Sequence, residues 1–245
     1  MSKWNFKVVL AGDGAVGKTS IRERYMGKGF SSDYLKTIGA DFASKKVTVE
    51  DNQISFQIWD LAGQDSYQAV RGTFYKGATA AMMVFDVQDP ATMTNLKNWI
   101  DEAIKGSNSG ILVYFIIANK VDLVEERRVS RDMALDFCTR LDTETGIRFY
   151  YCETSALSGQ NIQETFDFLS HKLLEANNIA VQEKLPKVDG IIDTREMKKD
   201  VVPARRDFVS KEEFDSLSDR IEKLEKKLDA MQAIVTKIVE KIQQN

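Results

Sequence analysis

From residue 4 to about residue 176 the chain alternates short β-branched or aromatic runs with stretches of helical periodicity. Residues 6–10 predict a strand that leads into a glycine-rich turn. Residues 41–50 and 53–60 predict a hairpin around Asp51-Asn52. Residues 80–86, 112–119 and 149–153 are mostly apolar runs of strand length and predict buried strands. Between them, residues 18–26, 93–105, 130–141 and 162–176 space their apolar positions three and four apart and predict helices. Strand–helix alternation of this kind predicts an α/β fold. Its sheet is six-stranded and mostly parallel, with helices on both faces and one antiparallel hairpin at an edge.

The pattern fades over residues 177–209, where Pro186, Gly190 and Pro203 stand among scattered charges, and this stretch reads as a mobile linker. Residues 1–176 are thus expected to form one domain, and residues 210–245 a separate long C-terminal helix. Ser210 and Glu213 form a capping box at its start, with Val209 placed to staple onto Phe214. Phe214, Ile221, Leu228, Val235 and Ile242 fall at a positions, and Leu217, Leu224, Met231 and Ile238 at d. That heptad register predicts a coiled coil, weakly favouring a parallel dimer. A fold-back onto the first domain is the less favoured alternative. A membrane-surface helix would want a basic polar face, and residues 211–245 carry seven Lys/Arg against eight Asp/Glu.

Composition narrows the function. A net charge of -3 argues against nucleic acid as a partner, because no basic stripe is available to track phosphates. Two cysteines, Cys138 and Cys152, make no disulfide framework; they fit a reducing cytoplasm and read as small core residues. The lone histidine, His171, excludes a His-rich metal site and reads as a solvated surface residue. The N-terminal residues hold no signal-length apolar run, Ser2 excludes myristoylation, and the ending Gln243-Gln244-Asn245 offers no cysteine to prenylate. The expectation is a cytoplasmic protein without a prenyl anchor, reaching membranes peripherally through a partner.

The chemistry begins at Gly12-Asp13-Gly14-Ala15-Val16-Gly17-Lys18-Thr19, a complete P-loop between a predicted strand and a predicted helix. Its glycines let backbone N–H groups turn toward phosphates, Lys18 supplies a point charge to the β- and γ-phosphates, and the Thr19 hydroxyl is a hard ligand for Mg²⁺. Asp60, ending a strand, is a second Mg²⁺ ligand, direct or through water. In the following Leu61-Ala62-Gly63-Gln64, Gly63 offers an N–H to the γ-phosphate and Gln64 is placed to orient an attacking water.

Asn119-Lys120-Val121-Asp122 follows another strand. A carboxylate at Asp122 accepts two parallel hydrogen bonds from guanine N1–H and the 2-amino group, which adenine does not offer, so a buried Asp122 rejects adenine. Asn119 ties neighbouring loops to the base, and the Lys120 stem covers its face. Thr154-Ser155-Ala156 follows a further strand, where the backbone at Ser155 and Ala156 meets the guanine carbonyl. These motifs predict a GTP/GDP-binding site with Mg²⁺.

Together, and in this order, these residues resemble the Ras superfamily of small GTPases over roughly residues 4–176, and so a P-loop NTPase of the G-domain type. Residues 37–42, 56–60, 74–78 and 83–87 are most similar to the Rab branch. The resemblance implies that Thr37 closes on Mg²⁺ and the γ-phosphate in the GTP state. It implies that Phe30 packs on the guanine, that Tyr34 lies over the phosphates, and that the nucleotide-binding set extends to Ser20. Gly14 would leave room for Gln64 and a partner's arginine. Phe42, Trp59 and Phe74 would report switch state. An exchange factor, a GTPase-activating protein and effectors are then expected at residues 37–42, Trp59 and residues 64–74. No arginine is obviously placed as a finger in cis, so intrinsic turnover is expected to be slow, with Lys18, Thr37 and Gln64 as the catalytic set. Residues 210–245 are expected to bind a second copy or a partner helix. The alternative is a GTP-loaded scaffold that hydrolyses slowly and works through that helix.

Overall fold

The computed structural model describes residues 1–29 and 37–197. Phe30, Tyr34 and the heptad segment 210–245 therefore lie outside the described residues. The elements in order are β1 (Ser2–Ala11), α1 (Lys18–Tyr25), β2 (Ala40–Val49), β3 (Asn52–Leu61), a 3-10 turn (Asp65–Tyr67), α2 (Gln68–Tyr75) and β4 (Ala80–Asp86). Next come α3 (Pro90–Thr94), α4 (Leu96–Ser107), β5 (Val113–Asn119), α5 (Arg131–Thr145), β6 (Phe149–Thr154), α6 (Ile162–Ala176), β7 (Ile191–Asp193) and α7 (Thr194–Met197). The sheet order is β2-β3-β1-β4-β5-β6-β7. Among the described strands only the β2–β3 and β6–β7 pairs are antiparallel. Chain direction along the sheet reverses at β1, so the P-loop opens into the crevice where ligands of such sheets bind.

The central strands are covered on both faces, and for that reason β4 and β5 read as continuous apolar runs. On one face Val8, Leu10, Ile58, Val84 and Ile117 meet Ile21 and Tyr25 of α1 and Phe166, Leu169 and Leu173 of α6. On the other, Val9, Ala81, Met83 and Ile116 meet Tyr75, Trp99, Phe137 and Leu141. Cys138 and Cys152 are both free and buried.

The structure corrects the sequence reading in several places. Among the described residues the sheet has seven strands, not six. The seventh lies in the stretch read as linker: Ile191, Ile192 and Asp193 pair with Cys152, Tyr151 and Tyr150. A three-residue edge strand is too short to leave a periodic signal. The predicted helix 93–105 is two helices meeting at Asn95, because Asp89 caps Ala91 N (3.0 Å) and Pro90 starts a first short turn. The hairpin turns at Glu50 and Asp51, with Glu50 at φ 51°, one residue earlier than predicted. His171 is buried, its Nδ1 lying 3.0 Å from Asp167 O. Its polar neighbours misled: Ser170 is buried, and the Lys172 ammonium lies over the Tyr150 and Phe168 rings.

Candidate nucleotide and magnesium site

β1 delivers Gly12 to the crevice and α1 begins at Lys18, directly after the glycine-rich loop. Gly17 caps α1 at φ 98° with no side-chain hydrogen bond, which leaves the first helical N–H groups for an anion. The Lys18 ammonium folds back onto the loop, donating to Gly12 O (2.7 Å) and Asp13 O (2.6 Å). Burial pushes its pKa down to about 8, against the attraction of Asp60 and Asp13. A phosphate beside it would favour the charged form.

Gly63 lies against the P-loop so closely that a Cβ there would collide with the backbone of Asp13 and Gly14. A Cβ at Gly14, by contrast, meets nothing within 4 Å. Side-chain-free residues are thus needed at 63 for contact, while 14 faces open space. The next residue, Gln64, is anchored through its backbone: its carbonyl accepts from Arg71 Nη1 at 2.7 Å.

Arg71 is the residue that sequence reasoning missed. It is buried, lies 4.0 Å over the Trp99 ring, and forms a paired fork with Glu102 (3.0 and 3.1 Å). Trp99 Nε1 and Asn95 Nδ2 in turn donate to Asp13 Oδ1 at 2.7 and 2.6 Å. The P-loop, the Gln64 segment and α4 therefore form one polar network. Asn95, Trp99 and Glu102 stand at i, i+4 and i+7, one helix face, which is the signal available in the sequence.

Three hard oxygens converge beside the phosphate end. Thr19 Oγ1 donates to Asp60 Oδ2 at 2.5 Å and lies 3.0 Å from Thr37 Oγ1. Asp60 Oδ1 is buried with no hydrogen-bond partner among the described residues. Burial raises the Asp60 carboxyl, with the Thr19 hydrogen bond and the Lys18 charge opposing. An orphaned carboxylate oxygen beside two hydroxyls fits Mg²⁺, which takes few protein ligands and completes its shell with water and phosphate. Among the described residues no group of three or more His, Cys, Asp or Glu is arranged to hold a metal ion.

The residues expected to read the base stand on β5 and β6 and the loops that follow them. Asn119 is buried; its Nδ2 donates to Val16 O (2.8 Å), and its Oδ1 accepts from Thr154 Oγ1 (3.2 Å) and Ala156 N (3.3 Å). One side chain thus joins the P-loop to both base loops. Lys120, at φ 68°, pairs with Asp86 Oδ2 at 2.6 Å. Asp122 is half-buried rather than buried. Ser155 is fully buried, and its hydroxyl accepts from Ser158 N at 3.1 Å.

Glu153, at the end of β6, supports both base loops by accepting from Arg127 Nη2 (2.5 Å), from Arg131 and from Tyr151 Oη (3.0 Å). Burial alone would raise its carboxyl; the arginine hydrogen bonds outweigh it and hold the group below its ordinary 4.5. Its stabilisation is therefore complete above pH 4.5 and is lost as pH falls through the lower folded value. Glu153→Gln is expected to flatten the fall in melting temperature between about pH 5 and about pH 3, read by thermal unfolding. An unchanged slope would remove Glu153 from the acid-sensitive set.

The sequence profile of the Ras family matches residues 7–175. The chain belongs to the Ras family. Among its relatives, the Ypt/Rab-type GTPase ypt7 of Schizosaccharomyces pombe is 39% identical over 173 residues, 69% of this chain and 82% of its own. The Ras-related protein Rab7 of Drosophila melanogaster is 39% identical over 172 residues, covering 69% and 80%. The Ras-related protein Rab-13 of Canis lupus familiaris is 36% identical over 169 residues, again 69% and 80%. An aromatic cluster runs from the exposed Phe42 to the half-buried Trp59 and Phe74, which pack on the core. Phe42 and Trp59 centroids lie 5.2 Å apart and Trp59 and Phe74 5.6 Å; Ile38 and Val70 are also exposed. Among the described residues no helix is long and apolar enough to cross a membrane.

Proposed function

We propose that this Ras-family GTPase is a Rab-like switch in membrane traffic, cycling between GTP and GDP with Mg²⁺. The observation that carries the mechanism is the convergence of Thr19, Thr37 and Asp60 beside the P-loop lysine. Thr19, Thr37 and Asp60 would hold Mg²⁺, which when bound would supply charge neutralisation at the phosphates. Lys18 leaves the loop carbonyls for phosphate oxygens, and the uncapped start of α1 adds its N–H groups. Gln64, on a backbone tethered by Arg71, orients the attacking water. Asn119, Lys120, Asp122, Ser155 and Ala156 hold the guanine. Gly12 to Thr19 and Ser20 wrap the phosphates, with Phe30 and Tyr34 contributed by the switch segment. Positioning and charge neutralisation are the whole of the catalysis, so turnover is slow until a partner supplies an arginine.

Thr37, residues 38–42, Trp59 and residues 64–74 are the surface for exchange factors, GTPase-activating proteins and effectors, a reading supported by the contiguous Phe42–Trp59–Phe74 cluster with Phe42 exposed at its edge. Residues 210–245 assemble as a coiled coil, either between two copies or with a partner helix, and bring a cytoplasmic protein to membranes through that partner. The scaffold alternative gains no support from the relatives, which are named as GTPases and Rab proteins. The test is single-turnover phosphate release by the full chain with GTP and with ATP. Slow release from GTP alone, abolished by chelating Mg²⁺, is expected. Tight GTP binding without any release would overturn the switch.

A further inference from the structure

The chain after α6 does not leave the domain. Gln182 N and Glu183 N both donate to Glu50 Oε1 at 2.7 Å, at the β2–β3 turn. Ile179 and Val181 pack on the core beneath α6. The segment then reaches the nucleotide end of β6. There Asp189 pairs with Arg131 at 2.8 and 3.1 Å, and Asn161 Nδ2 donates to both Asp189 O and Glu153 O at 2.9 Å. Glu153 N donates to Gly190 O at 2.8 Å. Gly190 sits at φ 85°, where a Cβ would press on Glu153 Cβ and Asn161 Nδ2 at 3.0 and 3.1 Å. Further on, Thr194 Oγ1 donates to Phe149 O (2.7 Å), and Arg195 forks onto Asp142 (3.0 Å twice). Arg131 thus bridges a carboxylate of this segment to Glu153. Glu153 in turn holds Arg127 of the loop that follows Asp122, and directly precedes Thr154, Ser155 and Ala156.

We infer that residues 177–197 are a strap whose Asp189 acts, through Arg131 and Glu153, as a positioning residue for the two guanine-reading loops, so that its docking sets how long the nucleotide is held. This rests on the guanine assignment above. Asp189 is exposed, so the pair is screened and its effect is moderate. Arg195 anchors the strap at the far end of β6 and touches neither Glu153 nor the base loops.

The test is release of fluorescent N-methylanthraniloyl-GDP from the full chain, chased with unlabelled GDP, beside association rates and melting temperatures. Asp189→Lys is expected to speed release about fivefold with association unchanged, and Asp189→Glu to release as the unsubstituted chain does. Arg195→Ala is expected to lower the melting temperature while leaving release nearly unaltered. Asp189→Lys releasing at the unsubstituted rate would overturn the proposal. So would release that simply tracks melting temperature across all three variants, because Asp189 would then be structural only. A chain that holds ADP as well as GDP would instead overturn the guanine assignment itself, and the proposal with it.

Discussion

Gln64→Leu is expected to cut single-turnover GTP hydrolysis by about a hundredfold while leaving GTP and GDP affinities within about twofold. The backbone under this side chain is fixed before any ligand arrives. Its carbonyl accepts from Arg71 Nη1 (2.7 Å) and from Tyr67 N (3.2 Å), and the preceding Gly63 abuts the P-loop. Leucine keeps a side chain of similar size but has no amide with which to orient water. The groups proposed to bind nucleotide, among them Lys18, Thr19, Asn119 and Asp122, are untouched by the change. A loss confined to the chemical step, with affinity retained, marks an interaction made only in the transition state. Phosphate release after rapid mixing, beside a nucleotide titration, measures both. Release at the unsubstituted rate would leave the water to some other group. Equal losses in affinity and rate would mean the substitution had disturbed the P-loop through Gly63 instead.

The residues proposed to carry the chemistry are legible because their partners are close in sequence or fixed by strand ends. Lys18 and Thr19 directly follow the loop, and Asp60, Asn119 and Thr154 sit at or one residue before the end of a strand, alternating in β3 and continuously buried in β5 and β6. What escaped depends on distant packing. Arg71 looks like an exposed helical arginine until α2 docks on α4 and stacks it on Trp99. Asn95 looks like an ordinary helix residue; the break there turns its amide toward Asp13, 82 positions away in the chain. The strap fails every periodicity test because its hold comes from scattered ion pairs and backbone bonds. Arg148 with Asp193 and Arg195 with Asp142 are examples. The helical face of α6 misled in the opposite sense, since a histidine flanked by Ser170 and Lys172 reads as wet and is buried.

Asp122→Ala is expected to lower GDP affinity by about 10² to 10⁴, through the loss of two charge-assisted hydrogen bonds to guanine. The loop itself should survive. Asn119 keeps its bonds to Val16, Thr154 and Ala156, and Lys120 keeps its pair with Asp86. No gain for ADP is expected, because removing an acceptor creates no match for adenine. A titration of the variant with GDP and ADP reads the first effect. Inosine diphosphate isolates its cause, since it keeps N1–H and the carbonyl but lacks the 2-amino group. The unsubstituted chain should bind it about tenfold or more less tightly than GDP, and the variant should scarcely distinguish the two. That vanishing difference is the informative result: it couples the 2-amino group to this carboxylate, whereas a general loosening of the half-buried site would weaken both ligands and leave their ratio intact.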